Sequence, residues 1–380
     1  MIFKTIQLMN LTRNQLITLF LSVVLLGCNE IKDKTVSVSP KSKQAILLDS
    51  LQKLDSIVLK YIAKNAAESM EYAKRAGKLA KVINTPKARA KAYNILGNAF
   101  SVINIDSGFY FYHKAVVVSD SFNLTDIKGK ALYNLGMLNR LTGNDQKSIM
   151  FLDSALRFSV SANDFATMSN SLNTIGGFYY RIGEKGIARK MFDSAYAVAK
   201  NNSLYLPMGS ALGNLARFET DRKKSIALSK LAISYLERSN SSDVPTAKIL
   251  INIGCRCTET DSAIWYYNQA VNMVSADCAP DVIIGAYNNM AYCYLDKGDF
   301  KNAEICIGQY ALPVAIRTNN IDWQSTVYDT YGDILEGKGK LNEAKAMKQK
   351  SIALRKSYRE SVSASLNSMK NNSQRIPFSQ

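Results

Sequence analysis

Apolar residues recur along the chain with the spacing of amphipathic helices, and the pattern itself repeats roughly every 40 residues. It is clearest in residues 173–195, where Gly176 is followed by Tyr179 and, after a glycine turn, by Ala188 and Phe192. Apolar positions three and four residues apart lie on one helical face. This stretch therefore predicts two short amphipathic helices joined by a tight turn.

A small residue equivalent to Gly176 recurs in seven units at steps of 37 to 41 residues: Gly97, Gly136, Gly176, Ala216, Gly254, Ala291 and Gly332. A fixed period of this size is typical of a solenoid, in which each unit buries its apolar face against its neighbours. The small residue lets one helix approach the next. The Ala216 and Gly254 units are three residues shorter, which predicts a shorter turn between their helices. Residues 47–61 and 66–82 predict an eighth, degenerate pair that caps the N-terminal end.

The repeat resembles the tetratricopeptide repeat family. The matching residues are Leu96-Gly97, Leu135-Gly136, Ile175-Gly176 with Tyr179, Ala188, Phe192 and Ala195, and Tyr331-Gly332 with Ala344. The period is longer than the family's usual 34 residues or so. The resemblance implies an all-α, right-handed superhelical solenoid of about eight helix-turn-helix repeats, whose first helices line a concave groove.

The first residues predict export rather than a repeat. Residues 1–27 carry Lys4 and Arg13, no acidic residue, and an apolar run from Leu16 to Leu26 that ends at Gly27-Cys28. The run is too short to span a bilayer and suits a signal-peptide core. It resembles a bacterial lipoprotein signal, in which Cys28 is acylated, with palmitate among the chains. An ordinary signal peptide is the alternative.

These patterns divide the chain into four predicted segments: a lipoprotein signal peptide (1–27), a flexible tether (28–43), the solenoid (44–357), and a C-terminal helical extension with a polar tail (358–380). Asn29-Glu30 does not resemble an inner-membrane retention signal. We therefore expect a lipid-anchored protein of the bacterial cell envelope, at the outer membrane, on its periplasmic or its surface face.

The formal net charge of +17 is concentrated in residues 73–91 and 338–380. Basic patches often bind nucleic acid. Because export argues against that partner, we expect an acidic protein or peptide, or an anionic lipid surface, and no nucleic acid. Solvated faces of exposed helices are the simpler alternative.

Residues able to support catalysis are few. His113 is the only histidine, and neither a phosphate-binding loop, a zinc-protease motif nor a nucleophile elbow occurs. Beyond Cys28 the chain has an odd number of cysteines, which predicts small buried thiols rather than a disulfide framework. We therefore expect no enzyme, no metal site and no cofactor.

Asparagine recurs two or three residues before the small residue, together with nearby cations and tyrosines. An amide offers both a donor and an acceptor, and so can match a peptide backbone, while cations favour acidic ligands. The predicted groove residues are Lys91, Asn94, Lys130, Tyr133, Asn134, Arg140, Asn173, Tyr180, Asn214, Arg217, Lys248, Asn252, Asn289 and Tyr292. Alternatively, the asparagines only fix the stacking of repeats.

The predicted function is a non-enzymatic, lipid-anchored interaction module that binds a peptide or protein segment in this groove. Two alternatives use other surfaces: a structural assembly factor of an envelope complex, acting through its outer or basic end faces, and an envelope sensor acting through a separate regulator.

Overall fold

The structure is a computed structural model that describes residues 40–63, 65–239 and 243–373. The predicted signal peptide, Cys28 and most of the predicted tether lie outside these residues. By its contacts the chain divides into Met1–Ile46 and Leu47–Gln380, and the interactions below belong to the second unit. Within the described residues the secondary structure is helical, with no strand, and none of these helices has the length and apolarity needed to cross a membrane.

The helices in chain order are α1 Pro40–Tyr61, α2 Ala66–Ile83, α3 Pro86–Phe100, α4 Ile105–Ser121, α5 Thr125–Leu141, α6 Asp145–Ala162, α7 Phe165–Arg181, α8 Lys185–Asn201, α9 Tyr205–Leu215, α10 Arg222–Arg238, α11 Asp243–Gly254, α12 Thr260–Asn272, α13 Pro280–Asp296, α14 Phe300–Ile305, α15 Leu312–Arg317, α16 Ile321–Gly337 and α17 Leu341–Ser373. A π-helical turn, Cys306–Ala311, joins α14 to α15, so that these three form the second element of one repeat.

The helices form consecutive antiparallel pairs, and the predicted all-α repeat solenoid is confirmed. The pairs are α1/α2, α3/α4, α5/α6, α7/α8, α9/α10, α11/α12, α13 with α14–α15, and α16/α17. Each pair buries apolar side chains against the next one. The predicted N-terminal cap is present as α1 and α2, although α1 begins at Pro40, inside the predicted tether.

Glycine at the repeat position allows close packing between the two helices of a pair. A Cβ atom added at Gly176 would lie 2.9 Å from the Phe192 ring, and one at Gly254 would lie 2.5 Å from the Tyr267 ring. Real Cβ atoms do not approach so closely. The small residue therefore has the role that the sequence predicts, since the aromatic ring of the second helix rests directly on the glycine.

Left-handed backbone conformations end the helices at matching places in successive repeats. Glycines with positive φ lie in the turn inside a repeat, whereas asparagines with positive φ end second helices such as α2 and α6. Asparagine tolerates this region better than most residues with a side chain. These residues are Gly143, Gly183, Gly298 and Gly339, and Asn84, Asn123, Asn163 and Asn319.

The shorter repeats differ from the prediction. The first helices α9 and α11 have 11 and 12 residues, against 17 in α5 and α7. The missing length is therefore taken from the first helix and not from the turn. In α9 the reason is local, because the backbone after Leu215 tightens into a 3-10 turn, Ala216–Phe218, before the next helix begins.

Candidate functional site

An open cleft of 580 Å³ lies along the first helices of successive repeats. Its walls come from α1, α3, α5, the start of α7, α9 and α11. Five of the predicted groove residues line it: Lys91, Asn94, Lys130, Tyr133 and Asn134. The other nine predicted residues lie elsewhere.

An ion pair between a partly exposed lysine and a buried aspartate forms the floor of the cleft. The Lys130 Nζ atom lies 2.5 Å from a carboxylate oxygen of Asp55, whose side chain is only 6% exposed. Burial alone would lower the pKa of Lys130, but the Asp55 carboxylate outweighs it and raises that pKa. Asn98 donates to the other oxygen of Asp55 at 3.1 Å, and Tyr112 donates to Asn98 at 2.9 Å. The floor is thus a satisfied polar network that joins α1, α3, α4 and α5.

The asparagines bond to the preceding repeat. The Asn134 amide donates to the side-chain oxygens of Asn94 at 3.0 Å and Asn98 at 3.2 Å. Asn214 donates in the same way to Asn173 at 3.0 Å, one repeat earlier. Such bonds between repeats are expected if the asparagines only fix the stacking of repeats.

Two further predicted asparagines also reach the preceding repeat. Asn252 donates to the Gly213 carbonyl at 3.4 Å, and Asn289 donates to the Cys255 sulfur at 3.2 Å. Four of the predicted asparagines thus donate a hydrogen bond to the preceding repeat, whereas Asn94 and Asn173 accept one. Recognition of a peptide backbone by these residues stays a prediction.

Most of the other predicted cations and tyrosines contact neighbouring side chains. Arg217 lies over the Tyr180 ring, 3.9 Å from its centroid. Tyr292 donates to Asp333 at 3.3 Å. A ligand that binds to these side chains would have to replace the contacts they already make, which costs free energy. These side chains are therefore weaker candidates for ligand binding than the residues of the cleft.

Two arginines form ion pairs between repeats that are far apart in the sequence. Arg140 pairs with Asp281 at 3.2 Å, and Arg181 pairs with Asp322 at 3.1 Å. Both pairs span 141 residues, so the same contact is made twice, one repeat apart. Repeats two and three, counted from Gly97 as the first, thereby contact repeats six and seven. We call these two ion pairs the clasp.

The Asp281 carboxylate is the centre of the first clasp pair. Lys248 contacts the same oxygen at 2.8 Å. Burial alone would raise the pKa of Asp281, but Lys248 and Arg140 outweigh it and hold this pKa well below its usual range. Arg140 and Lys248, which the sequence places among ligand-facing cations, therefore contact a carboxylate of the protein itself.

Lys91 is the cation of the cleft that contacts no carboxylate oxygen among the described residues. Its nearest polar partner is the side-chain oxygen of Gln52, at 3.4 Å. Burial, together with the nearby charge of Lys87, lowers the pKa of Lys91. A half-buried ammonium without an anionic partner can gain free energy by binding a carboxylate.

Sequence reasoning missed Asp55 and the clasp aspartates. Asp55 follows Leu51 and precedes Val58 on one helical face, so its burial could have been inferred from that spacing. Asp281 and Asp322 carry a signal as well, because they recur 41 residues apart just as Arg140 and Arg181 do.

The histidine, cysteines and acidic residues are the candidates for a metal site in the described part of the chain. It contains no cluster of three or more histidine, cysteine or acidic residues able to hold a metal ion. His113 lies on an exposed helix face beside Phe151. The five cysteines within it are free thiols: Cys306 is buried as predicted, Cys257, Cys278 and Cys293 are half-buried, and Cys255 is exposed, so the predicted burial is wrong for Cys255.

Comparison with known proteins supports the same architecture. The sequence profile described as Tetratricopeptide repeat matches residues 284–310. A crystal structure of Rap Protein complexed with Competence and Sporulation Factor is similar, with a TM-score of 0.51 and 13% identity, covering 87% of this chain and 98% of that one. The apo quorum sensor NprR from B. thuringiensis gives a TM-score of 0.47 and 14% identity, covering 90% and 94%. No curated relative matches the sequence. The chain therefore contains a tetratricopeptide repeat within a tetratricopeptide-like helical solenoid.

Proposed function

We propose that this protein is a non-enzymatic interaction module that binds a peptide or protein segment in the cleft. The observation that carries this proposal is the open cleft along the first helices of successive repeats. Such a surface presents side chains at regular intervals, which suits an extended or helical segment of a partner. The solenoid fold and the cleft chemistry support binding rather than catalysis.

One cation of the cleft is available to an acidic group of a ligand. Asp55 is neutralised by Lys130, Lys87 lies 3.9 Å from Asp126, and Asp164 accepts a hydrogen bond from a backbone amide at the start of α7. Lys91 remains as the cation without such a partner. We infer that an acidic side chain or a C-terminal carboxylate of the partner pairs with Lys91, while Tyr133 supplies contact area.

The similar Rap Protein was crystallised in complex with Competence and Sporulation Factor. A fold of this kind can therefore hold a partner. The likeness is one of fold alone, and so the choice of partner for this chain rests on Lys91 and its surroundings.

Selection from a phage-displayed library of random peptides tests the proposal. We expect the protein to enrich peptides rich in aspartate and glutamate, and Lys91→Glu to weaken their binding at least tenfold. Lys78→Glu, at an exposed lysine of α2 outside the cleft, is the matched control and should leave binding unchanged. Equal loss in both variants would move the function to the outer or basic faces, where the alternative of an assembly factor places it.

We further propose that Cys28 carries a lipid anchor and that the protein works at the bacterial outer membrane. The support is the apolar run that ends at Gly27-Cys28. Metabolic labelling with palmitate should label the protein and fail for Cys28→Ala. Labelling that persists in this variant would contradict the anchor.

A further inference from the structure

The last helix is about twice as long as the helices that form the other repeats. α17 has 33 residues, whereas α6 has 18 and α8 has 17. Its first half pairs with α16 and completes the last repeat. Residues 356–373 extend beyond that pair, and we call this extension the strap.

The strap lies against repeats two and three. Tyr358, Val362 and Leu366 are at most 1% exposed, and Met369 is 9% exposed. Their spacing of four, four and three residues puts them on one helical face. They share an apolar cluster with residues of α6 and α7. Lys370 lies 5.3 Å from the centre of the Tyr179 ring.

The strap covers a second face of α6, which we call the seat. One row of buried α6 side chains, which we call the stripe, packs on the first helix α5. On another face, α6 also buries Asp145, Ile149, Asp153 and Leu156. In α8, one repeat later, only the stripe toward the first helix is buried. The seat is thus a surface that the repeat itself does not cover, and another helix fills it.

The strap has a weak intrinsic tendency to form a helix. Serine and asparagine make up half of residues 356–373, and both are poorer helix formers than alanine or leucine. A segment of this length with such a composition is mostly unfolded in water by itself. Its helical state therefore depends on the contact with the seat and on continuity with the first half of α17.

The contact between strap and seat is also incompletely hydrogen bonded. Within the described residues, the buried hydroxyls of Tyr179 and Tyr358 and one carboxylate oxygen of Asp145 have no hydrogen-bond partner. Each unsatisfied buried group opposes the contact. Another helix that satisfies these groups can bind the seat more favourably than the strap does.

We propose that the seat on α6 is a binding site for an amphipathic helix, and that the strap is a detachable occupant which a partner helix replaces. The partner carries apolar side chains with the spacing of Tyr358, Val362, Leu366 and Met369. The strap's charged residues Lys356, Arg359 and Glu360 are exposed, so the apolar spacing, and not charge, defines the partner helix. The proposal rests on the proposed function only in that the solenoid serves as a binding scaffold, and it adds a second site outside the cleft.

Binding of the strap sequence in trans tests this proposal on the full chain. The probe is a fluorescently labelled peptide of residues 356–373, measured by anisotropy. A variant with Val362→Asp and Leu366→Asp vacates the seat, and it should bind the peptide at least tenfold more tightly than the native protein. The native strap competes at a high effective concentration, which explains this difference.

The matched control carries Ala364→Asp and Ser368→Asp, at exposed positions of the strap with the same spacing. It should behave like the native protein. Equal peptide affinity for all three proteins, or no binding to a vacated variant that still unfolds cooperatively on heating, would overturn the proposal. Adding Lys91→Glu separates the two sites. It should leave peptide affinity unchanged, and a loss would show that the peptide binds in the cleft instead.

Hydrogen exchange on the native protein decides the matter if the vacated variant does not fold. Amides of residues 358–369 should exchange at least tenfold faster than those of α16, because the strap detaches without unfolding of the last repeat. Exchange of both segments at the same rate would show a permanent structural contact and would overturn the proposal.

Discussion

Helices α6 and α8 occupy the same place in successive repeats, but their surroundings differ. At equivalent positions 40 residues apart, α6 has Ile149 and Asp153, and α8 has Arg189 and Asp193. Both α6 side chains are buried, and Ile149 shares an apolar cluster with the strap, whereas those of α8 are exposed and form a loose pair at 3.9 Å. The position of a residue within the repeat therefore determines its burial only on the stripe that packs against the first helix. What covers the opposite face depends on contacts far along the chain.

The comparison also explains how one repeat unit can serve two purposes. The stripe toward the first helix holds the unit together in both helices, with Leu152 in α6 and Phe192 in α8 fully buried. The second face is free to vary because solenoid repeats need only their neighbours for a core. In α6 this face contributes to closure of the solenoid, and in α8 it remains solvated.

The largest effect is expected from a charge placed on each of these two faces. Ile149→Asp buries a carboxylate under the strap and should lower the free energy of unfolding by about 3 kcal/mol or more. Arg189→Asp, the equivalent change on α8, should stay within about 0.5 kcal/mol. Urea denaturation followed by circular dichroism measures both. Equal effects would mean that the two faces are equally covered.

A smaller effect is expected from removal of the clasp. Arg140→Ala leaves Asp281 with Lys248 as its remaining cation, and should cost about 1–3 kcal/mol of stability because the pair is mostly buried. Arg189→Ala removes an exposed arginine and should cost about 0–0.5 kcal/mol. Thermal and urea denaturation of both variants measure these two losses of stability. A neutral Arg140→Ala would show that the clasp does not hold the repeats together.

The asparagines that bond to the preceding repeat allow a further comparison, between a hydrogen-bonded position and an exposed one. Asn134→Ala removes hydrogen bonds to Asn94 and Asn98 and should cost about 1 kcal/mol. Asn268, on the exposed face of α12, is the control. Its change to alanine should be neutral or slightly stabilising, because alanine is the better helix former. The midpoints of urea denaturation compare the stability of the two variants. An Asn134→Ala variant as stable as the native protein would argue against the stacking role.

The sequence predicts contacts within a repeat better than contacts between distant repeats. The helix pairs and the glycine contact at Gly176 follow from periodicity, whereas a groove along the first helices is expected only from the family resemblance. The strap does not, because Ile149 and Leu366 are far apart in sequence and meet only through the accumulated curvature of the solenoid. Arg140 illustrates the same difficulty. Its position on a first helix suggests an inward cation, but the aspartate it contacts lies more than three repeats later.

The sharpest test of clasp electrostatics is the pH dependence of Asp281. Its pKa in the folded protein lies below the unfolded value of about 3.9, so the unfolded chain binds the proton first as pH falls. The stability contributed by this carboxylate is therefore fully present above about pH 5 and is lost as the pH falls further. The difference in unfolding free energy between the native protein and Asp281→Asn should shrink steadily from pH 5 to pH 2. Asp193→Asn, on the open face of α8, gives the baseline for an exposed carboxylate. A difference that stays constant across this range would mean that Lys248 and Arg140 do not stabilise the Asp281 charge, and that closure depends on the apolar strap alone.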